Sequence, residues 1–205
     1  MTARTYRRSP LAVVLLVLLA EEPMHAYRMQ RLIRERNKDQ IVNIAQRNSV
    51  YQTLDRLLRA GMIEVRATTR EENRPERTVY QITDEGRRTL RTWLRTMLSA
   101  PAREFPEFPV ALASLPMLPP QEVAGLLEQR AAALEDSLAE LDAGAETAAR
   151  IGLPRLFVVE DEYQRAITAA ELRWVRSLLD DLREGRLDWD EEWLRGTAER
   201  LERPE

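Results

Sequence analysis

The chain has 205 residues, of which 44% are hydrophobic and 32% charged. This composition is typical of a globular protein of one or two domains with a substantial core. The sequence contains no cysteine and a single histidine, which excludes disulfide frameworks, cysteine metal sites and thiol nucleophiles. It also lacks a glycine-rich phosphate loop and any nucleophile motif, so we expect neither an enzyme, nor a metal site, nor a cofactor.

Charge is distributed unevenly along the chain. The net charge is −3 overall, but residues 1–100 hold 19 Lys and Arg against 11 Asp and Glu. Residues 101–205 hold 12 against 23. A basic half joined to an acidic half predicts that only the first half meets a polyanion such as nucleic acid.

The apolar run at residues 11–20 predicts a buried first helix over residues 9–22. Ser9 and Pro10 before it are typical of an N-cap and a first helical position. A membrane-spanning helix needs about 20 apolar residues, and Glu21-Glu22-Pro23 does not resemble the cleavage site of a signal peptide. We therefore expect a cytoplasmic protein with no membrane association.

Residues 25–36 predict a second, amphipathic helix. Its buried side consists of Tyr27, Met29, Leu32 and Ile33. We expect His25 to form a structural hydrogen bond where this helix begins, with a phosphate contact at the helix N-terminus as the lesser alternative. Residues 38–45 form a connector, strand or turn, with Ile41, Val42 and Ile44 expected to be buried.

A third helix is predicted over residues 48–60, where Asn48 or Ser49 can cap the start and Gly61 suits the left-handed C-terminal position. The predicted apolar side consists of Val50, Tyr51, Leu54, Leu57 and Leu58, with Tyr51 at its border and the Tyr51 hydroxyl at the surface. The predicted outer side carries Ser49, Gln52, Thr53 and Arg56. These side chains suit contacts to phosphates and base edges in the major groove, with Gln52 and Arg56 as base readers. The alternative is an ordinary solvated face.

Two strands are predicted over residues 62–67 and 77–83, because both segments alternate and are rich in Val, Ile and Thr. The polar loop 68–76 between them makes a hairpin, or wing. Thr83-Asp84-Glu85-Gly86 then begins a fourth helix. Three helices, two strands and a helix are the order of a winged helix-turn-helix domain, which we assign to residues 1–100.

Residues 101–205 predict a second, α-helical domain. Long helical patterns follow Pro119-Pro120 and Pro154, and the second steps by three and four residues, as in bundles and coiled coils. The predicted dimerisation residues are Leu156, Val159, Tyr163, Ile167, Trp174, Leu178 and Leu182. We expect the aromatic residues of this half in a bundle core and dimer interface. The alternative is an effector pocket lined by Phe157, Trp174, Trp189 and Trp193.

Three segments of the first ninety residues together resemble the PadR-like transcriptional regulators. Pro23-Met24-His25-Ala26-Tyr27 is similar to a Pro-x-His-Gly-Tyr pattern, with Ala26 in place of glycine. Residues 49–57 with 60–63 resemble a Leu-Tyr-x-x-Leu-x-x-Leu helix followed by Gly-Leu-Ile. Residues 79–86 resemble a Tyr-x-Leu-Thr-x-x-Gly junction. The long acidic half is similar to that of the longer-tailed subgroup, whose C-terminal helices form the dimer.

The resemblance implies a homodimeric repressor that binds a pseudo-palindromic operator in double-stranded DNA and responds to a small aromatic or lipophilic effector. The wing departs from the family pattern at Glu76 and Val79, so Arg74 and Arg77 are the expected phosphate ligands there. The full set of expected DNA-binding residues is His25, Tyr27, Arg47, Ser49, Tyr51, Gln52, Thr53, Arg56, Arg70, Arg74 and Arg77. The alternative function is a helical protein–protein interaction module built on a winged-helix scaffold, without sequence-specific DNA binding.

Overall fold

The computed structural model describes residues 8–44, 48–69 and 77–201. The chain divides into two units, residues 1–104 and residues 105–205. The first unit combines helices with a three-stranded antiparallel sheet, and the described part of the second is helical. The predicted fold class, a mostly helical chain with a winged helix-turn-helix followed by a helical region, is confirmed.

The elements of the first unit follow the predicted order, with one additional strand. They are α1 (Pro10–Glu21), β1 (Met24–His25), α2 (Ala26–Glu35), a 3₁₀ turn (Lys38–Gln40), α3 (Ser49–Arg59), β2 (Ile63–Thr69), β3 (Arg77–Ile82) and α4 (Asp84–Ser99). The Ser9 hydroxyl accepts a hydrogen bond from the Ala12 amide at 3.3 Å, which caps α1 as predicted. Gly61 ends α3 with φ +69°, the left-handed conformation that its position predicts.

Helix α1 lies at the centre of the first unit because it is apolar on nearly every side. Its Leu15, Leu16 and Leu19 are fully buried, together with Met29 and Ile33 of α2. None of the described helices has both the length and the apolar composition that a membrane crossing requires.

The sheet has the strand order β1-β3-β2, with β3 in the middle. Met24 pairs with Tyr80 and His25 with Val79, so the start of α2 is tied to the base of the wing. The sequence did not predict β1, because two residues are too few to show a strand periodicity. A bulge interrupts β2, where Val65 lies opposite Tyr80 and Ala67 opposite Val79, leaving Arg66 as the additional residue.

The connector between α2 and α3 differs from its prediction in one position. It contains a 3₁₀ turn, and Val42 and Ile44 are buried as expected, but Ile41 is exposed. Ile41 directly follows the last residue of the turn and faces solvent, and the chain enters the core only at Val42 and Ile44. At the start of α3, the Asn48 side chain makes no capping hydrogen bond.

The second unit is built on two long helices. Its elements are α5 (Glu107–Leu112), a 3₁₀ turn (Leu115–Met117), α6 (Pro120–Arg150), a second 3₁₀ turn (Arg155–Phe157), α7 (Val159–Arg183) and α8 (Glu191–Leu201). Helices α6 and α7 share a core of Val123, Leu127, Ala131, Leu172, Val175 and Leu179. Ion pairs between Arg176 and Glu135 at 2.6 Å and between Arg183 and Glu128 at 2.7 Å fix their antiparallel register.

Gly86 determines how α4 begins. The Thr83 hydroxyl accepts from the Gly86 amide at 3.0 Å and donates to the Gly61 carbonyl at 2.7 Å, which joins the start of α4 to the end of α3. A Cβ at position 86 would overlap the Met62 carbonyl oxygen and lie 2.8 Å from Ile82 Cγ1. Only glycine allows this close approach between the helix and the backbone before β2.

We predict that Gly86→Ala lowers the free energy of unfolding of the first unit by about 1–3 kcal/mol, because the added methyl group has no room to relax. Gly144→Ala is the matched control, since a Cβ there meets nothing within 4 Å inside α6. It should be neutral or stabilise the protein by about 0.5–1 kcal/mol. Differential scanning calorimetry of the full chain measures both, and an unchanged transition in Gly86→Ala would show that α4 can move away from Met62.

Candidate nucleic-acid interface

Helix α3 turns one face into the core and one to solvent. Val50, Leu54 and Leu57 are buried against the centre of the first unit. Gln52 and Arg56, the two predicted base readers, are both exposed, and Ser49 is half-buried at the start of the helix. Because Gln52 and Arg56 are four residues apart, they are neighbours on one helical face. The outer face therefore presents an amide and a guanidinium together.

Thr53 lies inside the protein, so its predicted place on the outer face is wrong. Its side chain is 1% exposed. Its hydroxyl donates to the Ser49 carbonyl at 2.7 Å and accepts from Arg56 Nη2 at 3.0 Å. Burial costs little here because the helix itself satisfies the hydroxyl. Thr53 is therefore not available for a direct contact to DNA, although it contacts Arg56, which is exposed.

Tyr51 shows the opposite correction. It was predicted to anchor in the core from the border of the apolar face, with its hydroxyl at the surface, but 52% of its whole surface is exposed. It lies near Tyr80 of β3, whose pKa is raised mainly by burial and further by Tyr51 and Asp55, against a hydrogen bond with Thr78. Tyr80 therefore remains a neutral hydroxyl, and the Tyr51 side chain stands on the surface where α3 approaches the base of the wing.

His25 has the structural role that was expected of it. Its Nδ1 atom accepts a hydrogen bond from the Arg28 amide at 3.0 Å and caps α2. Tyr27, predicted on the buried side of this helix, is 67% exposed, with its ring centroid 6.3 Å from that of His25. The pairing of β1 with β3 accounts for the difference, because it fixes the first turn of α2 at the edge of the core.

Arg56 differs from the neighbouring arginine on α3 in its partners. Arg59 forms an ion pair with Asp55 at 2.6 Å. Arg56 donates from Nε to the Gln52 carbonyl at 3.3 Å and from Nη2 to Thr53, both uncharged oxygens. Arg56 therefore keeps a charge that a phosphate or a base can share, whereas Asp55 compensates that of Arg59.

Arg66 is an exposed cation that the sequence analysis missed. It is the additional residue of the β2 bulge, in the strand that leads into the wing. A bulge re-aims a side chain relative to a regular strand. The sequence shows only one arginine within a short alternating segment, which does not indicate a bulge. The bulge is defined by the pairing of β2 with β3.

Several predicted phosphate ligands lie outside the described residues. These are Arg47, Arg70 and Arg74. Arg77 is the first residue of β3, but its side chain also falls outside the described part. Their contacts to DNA stay predictions.

The aromatic residues of the second unit do not form one group. Trp189 packs against the core of α6 and α7, with its Nε1 donating to the Leu118 carbonyl at 3.0 Å. Phe157 and Trp193 are exposed. Trp174 lies fifteen residues after the start of α7, about 22 Å along the helix from the turn that holds Phe157. One small ligand cannot contact all four, so the predicted pocket does not exist as a single set.

Trp174 instead belongs to a polar and aromatic cluster with Phe108, Arg130 and Glu171. Its ring meets Phe108 edge to face, at 6.1 Å between centroids and 83° between planes. The Arg130 guanidinium lies 3.5 Å over the Phe108 ring and forms an ion pair with Glu171. Cation–π and ion-pair contacts on the same guanidinium hold this cluster between α5, α6 and α7.

Helix α7 has a second apolar face, opposite the one that packs on α6. Val159, Tyr163, Ile167 and Trp174 are all exposed and follow one another at helical spacing. Among the other predicted dimerisation residues, Leu156 is exposed in the preceding 3₁₀ turn, whereas Leu178 and Leu182 pack partly on the α6–α7 core. We call the four exposed α7 residues the α7 stripe.

A separate cavity of about 430 Å³ lies in the first unit, lined by Arg34 and residues 39–44. None of the predicted effector residues contributes to it. Among the described residues, no three His, Asp or Glu side chains lie close enough together to hold a metal ion.

The sequence of the first unit matches a known family. Residues 15–92 match the model of the transcriptional regulator PadR-like family, a segment that runs from α1 into α4. Over these 78 of its 205 residues, the chain is similar to the PadR-like family. The matched model describes transcriptional regulators, the class of protein that the sequence analysis predicts. No curated protein matches the sequence.

Solved structures of bacterial regulators share the fold of about 85% of the chain. Bacillus subtilis PadR in complex with operator DNA is 20% identical, with a TM-score of 0.69 over 85% of this chain and 99% of that one. The same protein in complex with p-coumaric acid is 19% identical, with a TM-score of 0.66 over 84% and 98%. The Vibrio cholerae virulence activator AphA is 18% identical, with a TM-score of 0.62 over 85% and 98%. At these identities the likeness establishes a shared fold.

Proposed function

We propose that this protein is a sequence-specific DNA-binding repressor that acts as a homodimer on a pseudo-palindromic operator. The observation that carries the proposal is the outer face of α3, where Gln52 and Arg56 are exposed side by side. This face belongs to a PadR-like unit with a net positive charge, and Bacillus subtilis PadR, which shares the fold, is known in complex with operator DNA.

The chemistry of the α3 face supports reading of base edges in the major groove. A guanidinium donates two parallel hydrogen bonds to guanine O6 and N7, and a glutamine amide pairs with adenine N6 and N7. Arg66 on β2, with Arg74 and Arg77 of the wing, supplies the positive charge that holds phosphates and sets the register of the helix. The acidic residues 101–205 are repelled by the duplex, which leaves the basic half to face it.

The first experiment is a selection of the purified protein against a random duplex library at two salt concentrations. We expect a two-fold-symmetric motif, with half-sites one or two helical turns apart at about 34 Å per turn, and binding that weakens steeply with salt. Arg56→Ala and Gln52→Ala should each lose preference at one base position of the half-site, by about 1–3 kcal/mol.

Arg59→Ala is the matched control for this selection. It removes an arginine from the same helix, but one whose charge Asp55 already compensates. The variant should keep the wild-type motif. An unchanged motif in Arg56→Ala would contradict the assigned reading face. Absence of any motif in the wild type would instead favour a protein–protein interaction module.

The α7 stripe supports the homodimer. Its Val159, Tyr163 and Ile167 side chains face solvent in the single chain, and Trp174 is half exposed although it also packs on Phe108. Exposed apolar patches of this kind mark interfaces, and a two-fold dimer uses the same patch of both subunits. A homodimer carries two α3 helices, one for each half of a palindrome.

We expect Ile167→Glu to convert the dimer into a monomer and to weaken operator binding, because the carboxylate would be buried without a partner. Arg173→Glu places the same charge on an exposed position of α7 outside the stripe and should remain dimeric. Sedimentation equilibrium measures both. A dimeric Ile167→Glu variant would exclude the stripe as the interface.

We further propose that a small aromatic or lipophilic effector relieves repression by binding in the second unit. The cluster of Trp174, Phe108 and Arg130 supports this proposal, because it presents aromatic surface beside a guanidinium. Bacillus subtilis PadR, known in complex with p-coumaric acid, shares the fold. An effector that changes the geometry of the dimer would shift the population away from the form that fits the operator.

We predict that p-coumaric acid releases the selected operator and changes tryptophan fluorescence in a saturable way. Trp174→Phe should remove most of the fluorescence change, whereas Trp193→Phe, an exposed tryptophan of α8, should retain it. Operator binding that is unaffected by saturating acid would contradict an aromatic-acid effector.

A further inference from the structure

We propose that the buried Thr53 is a positioning residue, which holds the Arg56 guanidinium in the orientation needed to read a base. This inference rests on the proposed function. It assigns a part in base reading to Thr53, a residue that is not itself available for a direct contact to DNA. The inference comes from the two hydrogen bonds of the Thr53 hydroxyl, which connect the buried side of α3 to its outer face.

The Thr53 hydroxyl is fixed from both directions. It donates its only proton to the Ser49 carbonyl at 2.7 Å, so a lone pair of the oxygen points toward Arg56. Arg56 Nη2 donates to that lone pair at 3.0 Å. Thr53 is almost completely buried and β-branched, so its side chain has little rotational freedom. The anchor is therefore rigid, although the residue that it holds is exposed.

The hydrogen bonds to the helix occupy only one edge of the guanidinium. Nε donates to the Gln52 carbonyl and Nη2 donates one proton to Thr53, and these groups lie on the same side of the planar group. Five N–H donors are available in arginine. Both Nη1 protons and the second Nη2 proton lie outside these bonds, and one Nη1 proton lies parallel to that Nη2 proton along the outer edge. That edge has the parallel pair of donors that guanine O6 and N7 accept.

Holding Arg56 before binding reduces the cost of recognition. A free arginine loses much rotamer freedom when it docks, which weakens binding and lowers selectivity. A site is more selective when packed neighbours fix its contact groups in advance. Thr53 therefore contributes to base preference by limiting the orientations of Arg56, and it contributes little to contacts with phosphates.

The test compares Thr53→Val and Thr53→Ser in binding to the selected operator and to a scrambled duplex. Valine keeps the shape but removes the hydroxyl, so operator affinity should fall about threefold to tenfold, the range of one hydrogen bond. Serine keeps the hydroxyl and should retain most of the affinity. Binding to the scrambled duplex should stay within about twofold in both, because phosphate contacts do not depend on the orientation of Arg56.

Thr168→Val is the matched structural control. Thr168 is also buried, and its hydroxyl donates to the carbonyl four residues earlier, Gln164, at 2.9 Å. The substitution therefore removes the same kind of helical hydrogen bond from α7, in the other unit. It should leave both affinities unchanged, and calorimetry verifies that the threonine variants are folded.

A double-mutant cycle with Arg56→Ala separates the outcomes. In that background Thr53→Val should cause no further loss of preference. Three outcomes would overturn the positioning role while the proposed function stands. They are a further loss in that background, an unchanged operator affinity in Thr53→Val alone, and an equal loss of affinity for the scrambled duplex. Failure of the wild type to select any motif would overturn both.

Discussion

Burial of α1 on nearly every side is the constraint on which the first unit depends. A helix with Leu15, Leu16 and Leu19 fully enclosed must be covered by other elements, and α3, β3 and α4 provide most of that cover. Each of these elements packs one face against α1 and exposes another face to solvent. The outer face of α3 is therefore set by packing: Val50, Leu54 and Leu57 go inward, and whatever lies opposite them is presented to a partner.

The sequence predicted the elements well because their signals are local. Ser9, Thr83 and Gly61 mark helix ends through hydrogen bonds or a backbone conformation that do not depend on distant residues. Strand β1 has no such signal, since it exists only through its pairing with β3. The α3 face was predicted less accurately at its borders. A period of 3.6 residues places Tyr51 and Thr53 near the edge of the apolar stripe, and neighbouring elements decide which of them is covered.

Helix α7 shows a second limit of periodicity. Two sets of apolar residues follow its three-and-four spacing, one containing Leu172, Val175 and Leu179 and the other forming the α7 stripe. Both sets satisfy the same pattern, so the sequence alone cannot say which one packs within the chain. The prediction chose the set that is exposed, with Leu178 and Leu182 at its border. Contact with α6 separates the two sets, and the cross-helix ion pairs strengthen that assignment.

Net charge overstates how much of the first unit is available to a polyanion. Glu21 accepts from two nitrogens of Arg36, at 2.7 and 2.8 Å, and this hydrogen bonding lowers the pKa of the Glu21 carboxyl. Asp55 and Glu85 similarly hold Arg59 and Arg88. These arginines tie elements of the unit together or stabilise single helices, and a phosphate would have to compete with a carboxylate for them. The hydrogen-bond partners of Arg56 are neutral oxygens, so no carboxylate among them compensates its charge, while the orientation of its guanidinium is fixed. Recognition by this unit depends more on the placement of such a side chain than on the number of positive charges around it.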